Sequence, residues 1–230
     1  MQRLAIYDMD KTITRAATWM PFLLHAARTR APWRLALLPL LAGEGIAYSA
    51  GLLGRGALKE NAQRLMLGSA VSQPEMAAAA NGFAERLLVN GVYPAACARI
   101  AEDRAAGYRL ILATASFDFY VQAIAARLGF DAVIATGSVM AQDGAIRAVI
   151  DGENCYGPAK LRMIEAWLAG QHIAREGAYI RFYTDHVSDA PTLDWADEAF
   201  AVNPHAPLRA MAAQAGWPVL DWRDGATGQA

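Results

Sequence analysis

The chain has 230 residues, enough for one large domain or for a core domain carrying an insert, and too many for a disulfide-stapled miniprotein. Hydrophobic residues make up 55% and charged residues 19%; the charges cancel to a formal −1, which leaves ample core and no global field to draw in a phosphate backbone. Composition thus argues against nucleic acid as a principal partner, and Cys97 and Cys155, the two cysteines, fit neither a disulfide framework nor a zinc-ligand pattern, so both are expected as reduced thiols.

The opening MQRLAIYDMDKT runs from one basic residue into an apolar stretch and then into carboxylates, without a signal-peptide pattern, and cytoplasmic residence is the default expectation. Leu4 to Tyr7 reads as a short buried strand closed by the polar cluster from Asp8 to Thr12. From Arg15 to about Gly91 the residues Leu, Ala, Arg and Met recur at helical spacing and Gly and Pro divide the segment, which predicts several helices and no strand. Its most apolar part, 31–53, is broken by Arg34, Pro39 and Glu44, and the run between Arg34 and Glu44 is nine residues, against about 20 for a spanning helix. After Tyr93-Pro94 a helix to Ala106 leads into a strand ending at Thr114. A helix from Phe117 to Leu128 is stopped by Gly129, a strand covers Ala132 to Ala135, and two short runs around Gln142-Asp143-Gly144 suggest a hairpin. A helix starts near Gly157-Pro158, a strand from Tyr179 to Tyr183 ends at Asp185, and a strand-helix-strand series runs from Ala199 to Leu220. The alternation predicts an α/β fold: a doubly wound parallel sheet covered on both faces, with an inserted all-helical segment and a small β-hairpin. The expected units are a core of 1–14 plus 92–222, an insert of 15–91 and a frayed tail of 223–230.

An open parallel sheet binds ligands at the carboxyl ends of its strands, so polar residues just after the apolar runs are the candidates. The first strand delivers Asp8 and Asp10 two residues apart, then Thr12; paired carboxylates suit a division between an ionised nucleophile or metal ligand and a proton carrier. The second delivers Thr114, Ala115 and Ser116 before a helix, a hydroxyl with free amides that fits an anion, or else an ordinary N-cap by Ser116. Lys160 lies in the first turn of a helix, where a cation opposes the helix dipole and is better explained by an anion in front of it, or else is a simple solvated lysine. The strand IRFY ends at Asp185, with Asp189 four residues on: hard oxygen ligands suited to Mg²⁺, or caps for the next helix.

In this order the motifs resemble those of the haloacid dehalogenase superfamily, in its phosphoserine-phosphatase-like branch. DMDKT at 8–12 is similar to its first motif, the end of ILATAS (Thr114) to its second, GENCYGPAK (Lys160) to its third and YTDHVSD (Asp185, Asp189) to its fourth, and the likeness covers essentially the whole chain. The resemblance implies a Rossmann-like core with a helical cap and a phosphomonoester hydrolase working through an aspartyl-phosphate. Asp8 would be the nucleophile and Asp10 the acid and base, with Lys160, Thr114 and Ala115 holding phosphate oxygens. Mg²⁺ would be held by Asp8, Asp10 through its carbonyl, and Asp185, with Thr12 and Asp189 supporting from behind. The implied partner is a small-molecule phosphomonoester; the oligomeric state is left open.

Two positions depart from the family pattern. His186 stands where Ser or Gly is usual, and Ala17 stands where phosphoserine phosphatases carry the Glu that grips the substrate amine, which argues against phosphoserine as substrate. Arg15, Arg28, Arg30, Arg55 and Arg64 of the insert are candidates to meet an anionic substrate. Residues 21–41 combine an apolar face, Trp33 and several arginines and resemble the cap of bacterial phosphatidylglycerophosphate phosphatases, so a lipid phosphatase at a membrane surface is the alternative, less favoured because of Glu44. A non-catalytic phospholigand-binding module is a further one, opposed by the full acid and lysine set.

Overall fold

The structure is a computed structural model and describes residues 1–223; the expected frayed tail falls, from 224 on, outside the described residues. β1 (Gln2–Tyr7) is the central strand. The insert follows as α1 (Trp19–Arg30), a 3-10 turn (Pro32–Leu37), α2 (Leu38–Ser49), α3 (Arg55–Leu67), β2 (Ala70–Val71) and α4 (Gln73–Asn90). Then come α5 (Pro94–Ala105), β3 (Arg109–Phe117), α6 (Asp118–Leu128), β4 (Ala132–Met140) and β5 (Ile146–Asp151). The chain ends with α7 (Pro158–Gly170), β6 (Ala178–Thr184), α8 (Ala190–Trp195), β7 (Glu198–Val202), α9 (Ala206–Ala215) and β8 (Val219–Leu220).

The strands form one sheet in the order β2-β5-β4-β3-β1-β6-β7-β8. Pairing is parallel from β4 through to β8, and β5 and β2 extend one side antiparallel. The chain winds outward from β1 through β3 and β4, then crosses to β6 on the other flank, so the order reverses beside β1. Register fixes what meets there: Tyr7 aligns with Leu112 on one side and with Tyr183 on the other, so the residues after each strand emerge side by side.

Alternate residues of each strand feed opposite faces, as the two-residue period requires. Ala5, Tyr7, Leu110 and Leu112 pack with α1, α4, α5 and α6, while Leu4, Ile6, Ile111 and Ala113 pack with Ile164, Leu168, Leu193 and Leu208 of α7, α8 and α9. Fully burying such side chains stabilises by about 1.5–3 kcal/mol each, which is why all-apolar four-residue runs mark strands covered on both faces.

The insert is tied at its base. Thr14 and Val92 form an isolated antiparallel bridge, Tyr93 N–H donates to Ile13 O at 3.0 Å, and Arg15 N–H donates to Gly91 O at 2.8 Å. Above this neck, Phe22 of α1 stacks on Tyr120 of α6 with ring centroids 4.4 Å apart, which seats the helices on the core. No helix among the described residues is long and apolar enough to cross a membrane.

Three expectations differ in detail. The insert is not wholly helical, because Ala70–Val71 pairs with Arg147 and Ile146 of β5; two residues are too few to show a period. The hairpin of β4 and β5 is a continuation of the main sheet, with Gly144 at φ +80 in its turn. The second strand runs on through Ser116 to Phe117 after a register shift beyond Thr114, so Ser116 is not a helix cap; irregular strand ends of this kind re-aim side chains next to active sites.

Candidate active site

Asp8 follows β1 directly, and its N–H is still tied to Tyr183 O of β6 at 2.9 Å. Its carboxylate turns into a cleft of about 220 Å³ whose lining includes Asp10, Thr114, Ala115, Lys160, Asp185 and Asp189. The residues expected at the strand ends therefore reach one cleft, except Thr12, which lies buried behind it, and Ser116, which lines a second cavity beside it.

Thr12 organises the acids from below. Its hydroxyl lies 3.0 Å from Asp8 Oδ2 and 3.3 Å from Asp185 Oδ1, able to donate to either, and it accepts the Asp185 N–H at 3.0 Å. Lys160 is buried in the first turn of α7, and its Nζ donates to Asp8 Oδ1 at 2.7 Å and to Asp189 Oδ2 at 2.5 Å. Gly157, at φ +59 and ψ −134, makes the turn that starts this helix, in backbone territory that side chains avoid. Thr184 Oγ1 also donates to Asp189 Oδ2, at 2.9 Å, while Asp189 Oδ1 is buried with no partner among the described residues.

Four carboxylates, Asp8, Asp10, Asp185 and Asp189, line the cleft with three cations, Lys11, Arg55 and Lys160, of which Lys160 is the buried one. Burial pushes the Asp8 carboxyl up to about 6, against the pull of Lys160, and burial with the neighbouring Asp8 pushes Asp185 up to about 7. Burial opposes the charge on Lys160, but Asp189 and Asp8 outweigh it and hold the ammonium above the ordinary lysine range.

Asp10 is held apart from this cluster. One carboxylate oxygen accepts from Thr18 N–H at 2.8 Å and Thr18 Oγ1 at 2.7 Å, and the other accepts from Ser116 Oγ at 2.8 Å. Lys11, at φ 65, turns the chain sharply after it. The two carboxylates that the sequence pairs thus have different surroundings, one set on a lysine and the other among hydroxyls.

His186 acts on its own loop. Its Nδ1 accepts from Ser188 N–H at 3.1 Å, capping the 3-10 turn (Val187–Asp189) that carries Asp189, while its ring lines the cleft. Of the five candidate arginines only Arg55 lines the cleft; Arg30 instead pairs with Glu75, and Arg15 lies over the Tyr93 ring. Ala17, exposed, lines the same cleft and a second cavity of about 240 Å³ shared with Asp10, Arg55 and Ala115. That second cavity adds Trp19, Tyr48, Leu58, Lys59, Ser116 and Asn154, and the cleft adds Tyr156, whose ring lies 3.8 Å from the Arg55 guanidinium.

Sequence reasoning missed Lys59, Asn154, Tyr156 and His205, whose Nε2 lies 3.4 Å from Asp185 Oδ2. A signal for Lys59 existed: it heads the stripe Lys59, Ala62, Gln63, Met66, Leu67 that α3 buries, and a lysine on a helix's inner stripe is anomalous.

Fold and site together place the chain among α/β enzymes that work at the carboxyl edge of a parallel sheet. The family is specific: residues 5–194 match the family model described as haloacid dehalogenase-like hydrolase, and the chain belongs to that family. Protein CicA of Caulobacter vibrioides is 34% identical over 197 residues, 85% of this chain and 83% of that protein. A Mycobacterium tuberculosis protein named "Probable phosphatase" is 31% identical over 131 residues, 57% of this chain, and the match spans 44% of that relative's length, so the chain covers less than half of it. Among solved structures, a Bordetella pertussis protein of unknown function superposes with a TM-score of 0.86 at 27% identity, covering 96% of this chain and 99% of that one. A phosphoserine phosphatase solved as a phospho-aspartyl intermediate analogue shares the fold, with a TM-score of 0.61 at 17% identity, covering 96% and 94%.

Proposed function

We propose that the protein is a phosphatase that hydrolyses a small phosphomonoester through an aspartyl-phosphate on Asp8. The observation that carries this reading is the unlike setting of two neighbouring carboxylates: Asp8 Oδ1 sits on Lys160 at 2.7 Å, while Asp10 is held by Thr18 and Ser116. An Asp8 oxygen attacks phosphorus, the bond from phosphorus to the ester oxygen breaks, and Asp10 gives its proton to that leaving oxygen. Asp10 then takes a proton from the water that attacks phosphorus, and the Asp8–phosphorus bond breaks to release phosphate. Lys160, the Thr114 hydroxyl and the Ala115 amide would meet the phosphoryl oxygens, and Asp189 keeps Lys160 charged and aimed.

The donor set fits a divalent cation. Asp8 and Asp185 are hard oxygen ligands whose pKa values are raised, chiefly by burial, and the family is typically Mg²⁺-dependent. Among the described residues no three His, Cys, Asp or Glu side chains form a metal-holding group, so the Asp10 carbonyl and water would complete the set. Mg²⁺ there supplies the neutralising charge that lets a phosphoryl group approach a carboxylate.

Ala17 brings no carboxylate to a cavity wall whose one acid is Asp10, already assigned to proton transfer, which favours an ester other than phosphoserine. The test is phosphate release from phosphoserine, sugar phosphates, histidinol phosphate and phosphatidylglycerophosphate, with Mg²⁺ or EDTA. Asp8→Asn is expected to lower kcat by at least about a thousandfold, since it removes the nucleophile. Release that survives the substitution, or that ignores EDTA, overturns the mechanism.

One observation favours the lipid reading as the second choice. α2 buries only Leu41, and Trp33, Leu40, Ile46 and Leu52 of this region are 65%, 59%, 71% and 81% exposed. Flotation with anionic vesicles at low and high salt tests it: binding at both, together with turnover of phosphatidylglycerophosphate, would move this reading to the front.

A further inference from the structure

Lys59 has no part in the reaction just described, yet it is the insert's one lysine and its side chain is buried. It starts on α3, is 9% exposed, and its Nζ donates to Ala115 O at 2.6 Å and Asn154 Oδ1 at 2.7 Å, with Thr136 Oγ1 at 3.5 Å and the Phe117 ring centroid at 4.4 Å. All three acceptors are uncharged. Burying an ammonium among neutral groups is expensive, and burial, with Arg55 one helical turn away, pushes its pKa down to about 7. An apolar side chain would fill the slot without that cost, so what the ammonium holds is the informative feature.

It holds the end of β3. Ala115 O is gripped twice, by Lys59 Nζ and by Thr136 Oγ1 at 2.7 Å, which fixes the planar peptide unit joining Ala115 to Ser116. The far side of that unit is equally engaged: Ser116 N–H donates to Thr114 Oγ1 at 3.1 Å, and Ser116 Oγ donates to Asp10 Oδ2 at 2.8 Å. Asn154, the other strong acceptor of Lys59, lies 3.0 Å from Thr136 Oγ1 as the alternative acceptor for the one hydroxyl proton, which the shorter contact assigns to Ala115 O, and it sits in the loop leading to Gly157 and Lys160. A continuous run of bonds therefore links a helix of the insert to the proton carrier of the core.

We propose that Lys59 is a positioning residue for the hydrolysis: from the insert, it holds the turn 114–116 so that Ser116 keeps the Asp10 carboxylate aimed at the leaving oxygen. The inference rests on the phosphatase reading above. It also makes proton delivery dependent on the insert being seated, since the ammonium and the carbonyl it grips belong to different parts of the chain.

The test exploits leaving-group chemistry. An alkyl phosphate needs its leaving oxygen protonated, whereas p-nitrophenolate leaves without help, so a fault in aiming Asp10 separates the two esters in kcat/KM, which ends at departure of the leaving group and omits the later step in which Asp10 activates water for both; a general loss of structure does not separate them. In the full chain with Mg²⁺, Lys59→Met is expected to lower kcat/KM on an alkyl phosphate by about 30- to 100-fold and on p-nitrophenyl phosphate by less than about 5-fold. Lys59→Gln gives the same comparison if the Met variant does not fold, and Ser116→Ala, which cuts the run at its other end, is expected to show the same separation. Equal losses on both esters, or none on either, would overturn the proposal and leave Lys59 a packing tether. A wild type that hydrolyses neither ester fails the reading of the site itself, and the proposal with it.

Discussion

Asp8 and Asp185 bear the heaviest electrostatic strain in the cleft, and that strain has a sign that can be measured. A carboxyl group whose pKa is raised in the folded state binds its proton more tightly there than in the unfolded chain, so its contribution to stability is full below about pH 4 and is lost as pH rises through the folded value. With Asp8 raised to about 6 and Asp185 to about 7, the loss falls between about pH 4 and pH 7. In EDTA the melting temperature is expected to drop by about 5 °C or more between about pH 5 and pH 7.5, and Mg²⁺ is expected to restore more of it at the higher pH than at the lower. A flat profile in EDTA would show that the acids are relieved by other means. Asp8, Asp10, Lys160 and Asp185 were legible because each follows a recognisable apolar run or opens a helix. Lys59 was not, because its acceptors are a backbone carbonyl, a hydroxyl and an amide that lie 56, 77 and 95 residues away, and no local spacing encodes such a meeting.

At the scale of elements, α5 is bound to the sheet by one buried acid. Asp103 accepts Tyr7 OH at 2.5 Å, Tyr183 OH at 2.9 Å and Arg181 Nη1 at 2.6 Å, so a helix is fastened to β1 and β6, the two strands that carry Asp8 and Asp185. Burial, with Asp103 and the neighbouring phenol, holds Tyr7 above the ordinary phenol range, and burial with Asp103 does the same for Tyr183, so both remain donors. Asp103→Ala would leave two buried hydroxyls without their acceptor and is expected to cost about 3 kcal/mol in urea unfolding, far above a surface substitution. Helix positions were read well from their periods and from Gly129, whose φ of +80 ends α6. Strand ends were read less well: β3 and β4 run beyond their apolar stretches through Ser116 and Met140, because pairing across a sheet is settled by neighbours and not by the strand's own composition.

For the molecule as a whole, the parallel order and the helical character of most of the insert were legible, since alternating strand and helix signals admit few topologies. The antiparallel extension by β2 and the exposed outer side of α2 were not: a short pairing and an apolar helix read alike whether or not something covers them. The division of labour across the molecule is nonetheless plain in its geometry. Chemistry-bearing side chains lie at strand ends in the core, while Trp19, Tyr48 and Leu58 of the insert form much of the neighbouring chamber wall.

The neck at Thr14 and Val92 gives that division a thermodynamic side. Residues 15–91 leave and rejoin the core at bridged neighbours, so from the core's standpoint they are a closed loop, and loop-closure entropy grows only with the logarithm of length. A longer, shorter or wholly different segment could start and finish at the same two residues while altering the closure term by less than about 1 kcal/mol for each doubling of length. The strand ends would keep their acids and lysine, and the chamber facing them would be new. If the insert sets substrate preference, as the proposed function has it, that preference would be an exchangeable part, and the bridge between Thr14 and Val92 the joint at which the exchange would be made.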